Sequence, residues 1–565
     1  MQKLFLIIIS LMLVWSCQNN SEVYKTHKHL IADTAMVVSA NPFASKIGVQ
    51  IMKQGGNAVD ALVATNFALA VVYPRAGNLG GGGFMIIRTP KGEATALDFR
   101  ETAPAQAHKN LYLDSQGNVI PGLSRNGGLA VGVPGTVAGL YAAWQKYGRL
   151  KKWSDLLAPA IRLAEEGFPV SEAEAHRLNK YKKDFLKWNP TNKTFIKDHW
   201  LAGDYLVQPE LAKTLKIIAT KGPKGFYEGA VAQAIVDKVT KSGGIMKVED
   251  LKNYHAKFRE PIVVPYKDYQ VISMPPPSSG GIALGQLLKI VSRYPLKKWG
   301  FHTYKTTHLM VEAEKRVYAD RAKYLGDSDF YPVPVDSLLS DAYLTRRMAD
   351  FRLDKATPSQ AIFPGDFQLH KESFETTHIS IVDPDKMAVS CTTTLNSNYG
   401  SKVIVDDYGF FLNNEMDDFS AKPGVPNQFG LIGAEANAIE PHKRMLSSMT
   451  PSIVTKNDHV FMVLGTPGGS TIITSVFQTI LNVVDFDMNM YEAVQAKRFH
   501  HQFLPDYIMY EKKAFTPQVI KQLKQAGHHL KQVKSIGYVK AILLSNGHLE
   551  GAGDTRNQDD DVEGY

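Results

Sequence analysis

The residue best placed to carry covalent chemistry is Thr376, in Glu375-Thr376-Thr377-His378. A threonine at the start of a strand is ordinarily a β-former and nothing more. Its surroundings change that reading. A stretch without periodicity precedes it, and eighteen residues on stands Thr394, closing the run Thr392-Thr393-Thr394. Further along come Asn413-Asn414-Glu415-Met416-Asp417-Asp418, Ser447-Ser448 and Gly465-Thr466-Pro467-Gly468-Gly469-Ser470. A threonine hydroxyl is a weak nucleophile and needs a base beside it.

Other chemistries fit less well. His500-His501 and His528-His529 are adjacent pairs, whose neighbours point apart, and no His-Glu-x-x-His occurs, so no metal site is expected. The run Gly80–Gly83 lacks the Gly-Lys-Ser/Thr of a phosphate loop and reads as close backbone packing. No Gly-x-Ser-x-Gly elbow is present. Cys391, in an apolar run with no basic neighbour in sequence, reads as a buried strand thiol.

The elements that must position these residues are partly readable. Thr377–Val382 alternates, 383–386 is a turn, and 387–394 alternates again, which predicts a β-hairpin that folds Thr394 back near Thr376. Helical spacing spans 42–52 and stops at Gly55-Gly56; Asn57 caps a second helix over 58–72 that is apolar nearly all round and therefore buried. Strands are predicted at 84–87, 94–98, 271–274, 452–455, 460–464, 507–510 and 540–544. Helices are predicted within 136–255 and at 302–324, 471–484, 490–496 and 517–525. Residues 326–375 lose periodicity and gather Asp, Pro and Ser. Strands and helices in both halves indicate a layered α+β or α/β protein.

At 565 residues, 44% hydrophobic and 21% charged, the chain can build a large core. Its net charge of +9 is unclustered, which argues against nucleic-acid binding, and two cysteines exclude a disulfide scaffold. Lys3 and the apolar run Leu4–Trp15 have the form of a signal peptide, too short to span a bilayer with ease. Ser16-Cys17 after that run resembles a bacterial lipoprotein signal: residues 1–16 would be removed and Cys17 lipidated, anchoring an exported, periplasmic or cell-surface protein.

The set of motifs resembles the γ-glutamyltranspeptidases over nearly the whole chain after residue 30. The resemblance rests on Gly55–Asp60, Gly80–Phe84, Asp98-Phe99-Arg100-Glu101-Thr102-Ala103-Pro104, Gly132–Gly139, Pro275–Gly281 and Ala319–Asp327. It continues through Leu412–Ser420, Lys422–Pro426, Arg498–His501 and Gly564-Tyr565. It implies a four-layer αββα sandwich of the N-terminal nucleophile hydrolase type, with no cofactor and no metal. It also implies a precursor that cuts itself between Glu375 and Thr376 into a large (17–375) and a small (376–565) subunit, which stay together as a heterodimer. The new α-amine of Thr376, with a pKa near 8, would serve as its base. Thr394 would hold Thr376 in line, and the N–H groups of Gly468 and Gly469 would form the oxyanion hole. Arg100, Ser447 and Ser448 would bind the substrate α-carboxylate; Asn396, Glu415 and Asp418 would accept from its α-ammonium. Lys422–Gly433 matches the lid of some members, with Phe429 where bacterial members commonly carry tyrosine.

The expected activity is therefore transfer of a γ-glutamyl group, from glutathione and related small molecules, to water or to an amino acid or peptide. A glutaryl-cephalosporin-type acylase would share fold and mechanism, but the Glu415/Asp418 pair would then face an acyl chain with no cation. A non-catalytic lipoprotein that binds amino acids or peptides is the rival from another class, and retention of Thr376, Thr394 and both glycines argues against it.

Overall fold

Alternation of side chains over Thr377–Val382 and Ala388–Thr394 produces the predicted antiparallel hairpin, with Thr377 opposite Thr393 and His378 opposite Thr392. The computed structural model describes residues 24–362, 376–422 and 433–565. Residues 1–16, Cys17, Glu375 and Phe429 lie outside that set.

The hairpin forms the centre of a seven-stranded sheet. Its order is Asp561–Gly564, Met36–Ser39, Thr377–Val382, Ala388–Thr394, Gly82–Arg88, Ala94–Phe99 and Lys257–Arg259. A second seven-stranded sheet runs His29–Ala32, His548–Gly553, Lys540–Ser545, His459–Gly465, Ser452–Lys456, Tyr269–Ser273 and Ile262–Tyr266. Neighbouring strands in both sheets are antiparallel.

Strand periodicity sorts the core into layers. Met36, Val38, Phe84 and Ile86 pack with Ile453, Val463 and Ile542 between the sheets. Their neighbours Val37, Met85 and Ile87 point the other way, into a cluster with the helix Ala58–Val72. On the far side, Val454, Met462 and Leu464 meet Gly280–Val291, Tyr304–Tyr324 and Ile472–Val484. This is the αββα order, and its helices form where the sequence punctuates them. Asn57 caps Ala58–Val72 in a capping box with Asp60.

Two readings need correction. The stretch after 326 is not without structure: Val335–Leu339, Asp341–Arg347 and Ser359–Ile362 are helices too short to show a period. The helical region 136–255 also holds a small strand pair, Phe168–Pro169 with Tyr205–Leu206. Among the described residues no helix is long and apolar enough to cross a membrane.

Candidate active site

Strand parity places the site. Thr376, His378 and Ser380 have the same parity, and Ser390, Thr392 and Thr394 are their cross-strand partners, so these side chains share the face turned to the second sheet. Within the sandwich this polar stripe is fully used. His378 bonds Thr392 Oγ1 at 2.8 Å and Ser380 Oγ at 3.0 Å, Ser380 Oγ donates to Lys540 O, and Ser390 Oγ donates to Leu464 O. At the end of the stripe Thr376 and Thr394 line a pocket, with their hydroxyl oxygens 3.5 Å apart. That separation is long for an O–H···O bond. Thr394 Oγ1 also accepts from Asn396 N at 2.7 Å.

Asn396 turns the chain with a positive φ of 74°, a conformation asparagine tolerates. Its amide nitrogen donates to Asn414 O at 3.0 Å and reaches Asp418 Oδ1 at 3.5 Å. Asp418 and Glu415 sit on a single 3₁₀ turn, Glu415–Asp418, and both accept from Arg100, Asp418 at 2.6 Å. Arg100 follows directly on strand Ala94–Phe99 and is fully buried. A continuous polar path therefore runs from Thr376 through Thr394, Asn396 and Asp418 to Arg100.

The serines are placed by the proline motif. Ser279 N donates to Ser447 O at 2.8 Å, and Ser447 N donates to Pro277 O at 3.0 Å. On the facing sheet, strand His459–Gly465 leads into Gly468-Gly469, and a 3₁₀ turn then feeds the helix Ile472–Val484. Gly468 holds φ +145°, where a Cβ would press on Thr471 Oγ1 at 2.6 Å. A non-glycine residue there would be strained. Gly469 lines the pocket with Thr376, whereas Gly468, the residue before it, is not among the lining residues.

The pocket gathers Arg100, Thr376, Thr394, Asn396, Glu415 and Asp418, with Ser447, Ser448 and Gly469 completing the predicted members. Sequence reasoning missed four residues. Arg321 lines the pocket and is buried, its guanidinium donating to Ser279 Oγ at 2.9 Å and Ser448 Oγ at 3.0 Å. It belongs to the quoted stretch Ala319–Asp327, which carried the signal. Glu101, next to Arg100, is fully buried 3.6 Å from its guanidinium. Met449 and Ile472 add apolar wall, and their types carried no signal.

Burial dominates the electrostatics. It works against the charge on Arg100, but Glu415, Asp418 and Glu101 overcome it and hold Arg100 firmly protonated. Burial lifts all three carboxyls above their ordinary range against the pull of Arg100; for Glu415 the nearby Glu101 adds to the rise, and Glu101 itself is pushed up to about 8. Burial, with repulsion from Arg100 and against the pull of Tyr318 and Asp418, draws Arg321 down to about 10. The pocket thus presents two guanidiniums, carboxylates and hydroxyls in one place, a pattern complementary to a zwitterion. Its free volume of about 20 Å³ is near that of one water.

Three of the four paired histidines serve the core, and His529 is exposed. His500 bonds Thr474 and Gln502, and His501 faces Asp506. His528 and His308 share a 2.7 Å bond near Glu312, and Glu312 is already engaged by Lys315 and Arg316. A metal ion there would compete with two cations.

Three comparisons bear on this site. The family description "Gamma-glutamyltranspeptidase" matches residues 44–564. The chain is 46% identical over 538 residues to a glutathione hydrolase proenzyme of Escherichia coli (strain K12), covering 94% of this chain and 92% of that one. Among solved structures, a cephalosporin acylase from Bacillus halodurans superposes with a TM-score of 0.83 at 27% identity, covering 97% of this chain and 99% of that one. A γ-glutamyltranspeptidase from Helicobacter pylori gives a TM-score of 0.57 at 48% identity over 62% of this chain and 99% of that one.

Proposed function

The chain belongs to the γ-glutamyltranspeptidase family, and from that membership we propose that it is a self-processing γ-glutamyl transferase and hydrolase acting on glutathione and related γ-glutamyl compounds. The observation that carries this reading is the unbroken polar path from Thr376 to Arg100 in one buried pocket.

Cleavage of the Glu375–Thr376 bond gives Thr376 a free α-amine. That amine, with a pKa near 8, takes the hydroxyl proton as the oxygen attacks the γ-carbonyl. Negative charge then develops on the carbonyl oxygen, where the N–H groups of Gly468 and Gly469, at the start of a helix, stabilise it. The proton passes to the leaving amine, the C–N bond breaks, and a γ-glutamyl ester on Thr376 remains. Water or an amine attacks that ester and restores the hydroxyl. Thr394 keeps the Thr376 oxygen in line.

At the other end the substrate's α-carboxylate exchanges with the carboxylates now on Arg100 and is met by Ser447 and Ser448. The displaced Glu415 and Asp418, with Asn396, receive the α-ammonium. Asp418 is the more exposed of the two acids, with 12% of its side chain accessible against 1% for Glu415. A γ-glutamyl group is much larger than the free volume, so binding requires this exchange of partners.

The lipoprotein form of residues 1–17 supports an exported protein, anchored to a membrane through a lipidated Cys17. Lys422–Gly433 is offered as the lid, with Phe429 as an aromatic cover without a hydroxyl.

The test compares a γ-glutamyl anilide with the glutaryl anilide, which lacks only the amino group. A carboxylate facing a methylene is left desolvated and unpaired. Sites built for a polar group reject analogues lacking it by up to about 10⁴-fold, and the wild-type preference for γ-glutamyl should approach that. Asp418→Asn should narrow the ratio. Equal turnover of the two anilides, or preference for glutaryl, would transfer the assignment to the acylases.

A further inference from the structure

A second concavity, of about 600 Å³, adjoins the Thr376 pocket. Its size is that of a ligand site. Two links place it beside the pocket. Asn398, in its wall, is two residues from Asn396. Tyr538, also in its wall, donates its N–H to Thr466 Oγ1 at 2.8 Å, and Gly537 comes within 3.4 Å of where a Cβ of Gly468 would sit. The concavity therefore lies close to the oxyanion loop, and none of its lining residues belongs to the pocket that holds Arg100.

Its lining is basic. Lys180 and Arg177 come from the helix Glu172–Trp188, and Lys534 comes from the segment after strand Leu530–Val533. Glu172 is the one carboxylate in the lining. Arg556 is neutralised by Glu511 and Asp554. Lys180 and Lys534 are exposed, and neither has a carboxylate within ion-pair reach among the described residues.

We propose that this cleft binds the peptide side of the reaction, the departing or accepting peptide, through its terminal carboxylate, with Lys180 and Lys534 as the receiving cations. The proposal rests on assigning the Thr376 pocket to the γ-glutamyl group. With the acyl end fixed at Arg100, the scissile amide lies at the oxyanion loop and the rest of the donor must leave past Gly468. In glutathione that remainder is a dipeptide whose carboxylate lies roughly 7 Å beyond the amide, a reach that suits a cleft bordering the loop. An accepting amino acid or peptide brings the same carboxylate from solvent, and a basic cleft raises its local concentration.

The experiment compares the wild type with a Lys180→Glu/Lys534→Glu double variant on glutathione and on a γ-glutamyl anilide, whose leaving group has no carboxylate. Both positions are exposed, so the fold should tolerate the changes. The ratio of kcat/KM for glutathione to that for the anilide should fall roughly tenfold, the scale of two solvent-exposed ion pairs, with KM for glutathione carrying the loss. For the wild type, the C-terminal amide of glutathione should lose a similar factor against the acid, and the double variant should no longer distinguish them. An unchanged ratio, or a wild type indifferent to acid and amide, would overturn the proposal. A wild type that turns over neither glutathione nor the anilide would overturn the assignment of the pocket and this proposal with it.

Discussion

At the scale of residues, the chemistry was legible wherever a motif coupled a residue type to a neighbour. Thr376, Thr394, Asn396, Glu415, Asp418, Ser447, Ser448 and Arg100 converge from five separated stretches of chain on one pocket. What did not show was that Arg100 would rest on Glu415 and Asp418, because pairing across more than 300 residues leaves no trace in spacing. Glu101 was overlooked for a similar reason: beside an arginine in sequence it looks like half of a surface pair, and only the fold reveals its burial. That burial has a measurable consequence. Its carboxyl stands at about 8 against an ordinary 4.5, so between those values the folded protein binds a proton that the unfolded chain has released. Stability must then fall as pH rises through that window, by at most ~1.4 kcal/mol per pH unit from this group. Glu101→Gln should flatten that part of the profile, measured as urea midpoints from pH 4.5 to 8.5. Parallel profiles for variant and wild type would show that Glu101 does not hold its proton in the folded state.

At the scale of elements, those with a strong period or a clear stop were read closely. Thr377–Val382 and Ala58–Val72 have the predicted bounds, and Pro517–Gln525 likewise. The strands His29–Ala32, Met36–Ser39 and Asp561–Gly564 escaped notice. Each is four residues long and finds its partner through the far end of the chain: Met36–Ser39 pairs with Asp561–Gly564, and His29–Ala32 pairs with 549–552. Such pairing is a tertiary decision with no local signature. The contact between the two sheets behind the hairpin makes the sharpest demand. A Cβ on Gly465 would fall well inside contact distance of the His378 ring, which is fixed by Thr392 and Ser380. Gly465→Ala should therefore cost about 1–3 kcal/mol as overpacking, read as a lower denaturation midpoint. An unchanged midpoint would mean that the sheets separate freely there, and the layer packing described above would be wrong at that point.

At the scale of the whole molecule, the two seven-stranded sheets and their helical layers hold residues before and after 376 in the same strand order, with Thr377–Val382 between Met36–Ser39 and Ala388–Thr394. A cut just before Thr376 would leave those ladders intact, which is why two subunits can remain one body. The layered class was legible because both halves mix strands and helices; the sheet order was not, since it depends on which distant strands bury each other's apolar faces. The account's central claim is that Thr376 becomes the N-terminal nucleophile by cutting its own chain. The most direct measurement is N-terminal sequencing, with intact masses, of the purified wild type and of Thr376→Ala, made without added protease. The wild type should yield two chains, one beginning at Thr376 and the other ending at Glu375, and Thr376→Ala should remain a single chain. Two subunits in Thr376→Ala, or a wild type that turns over γ-glutamyl anilide as one uncut chain, would contradict it.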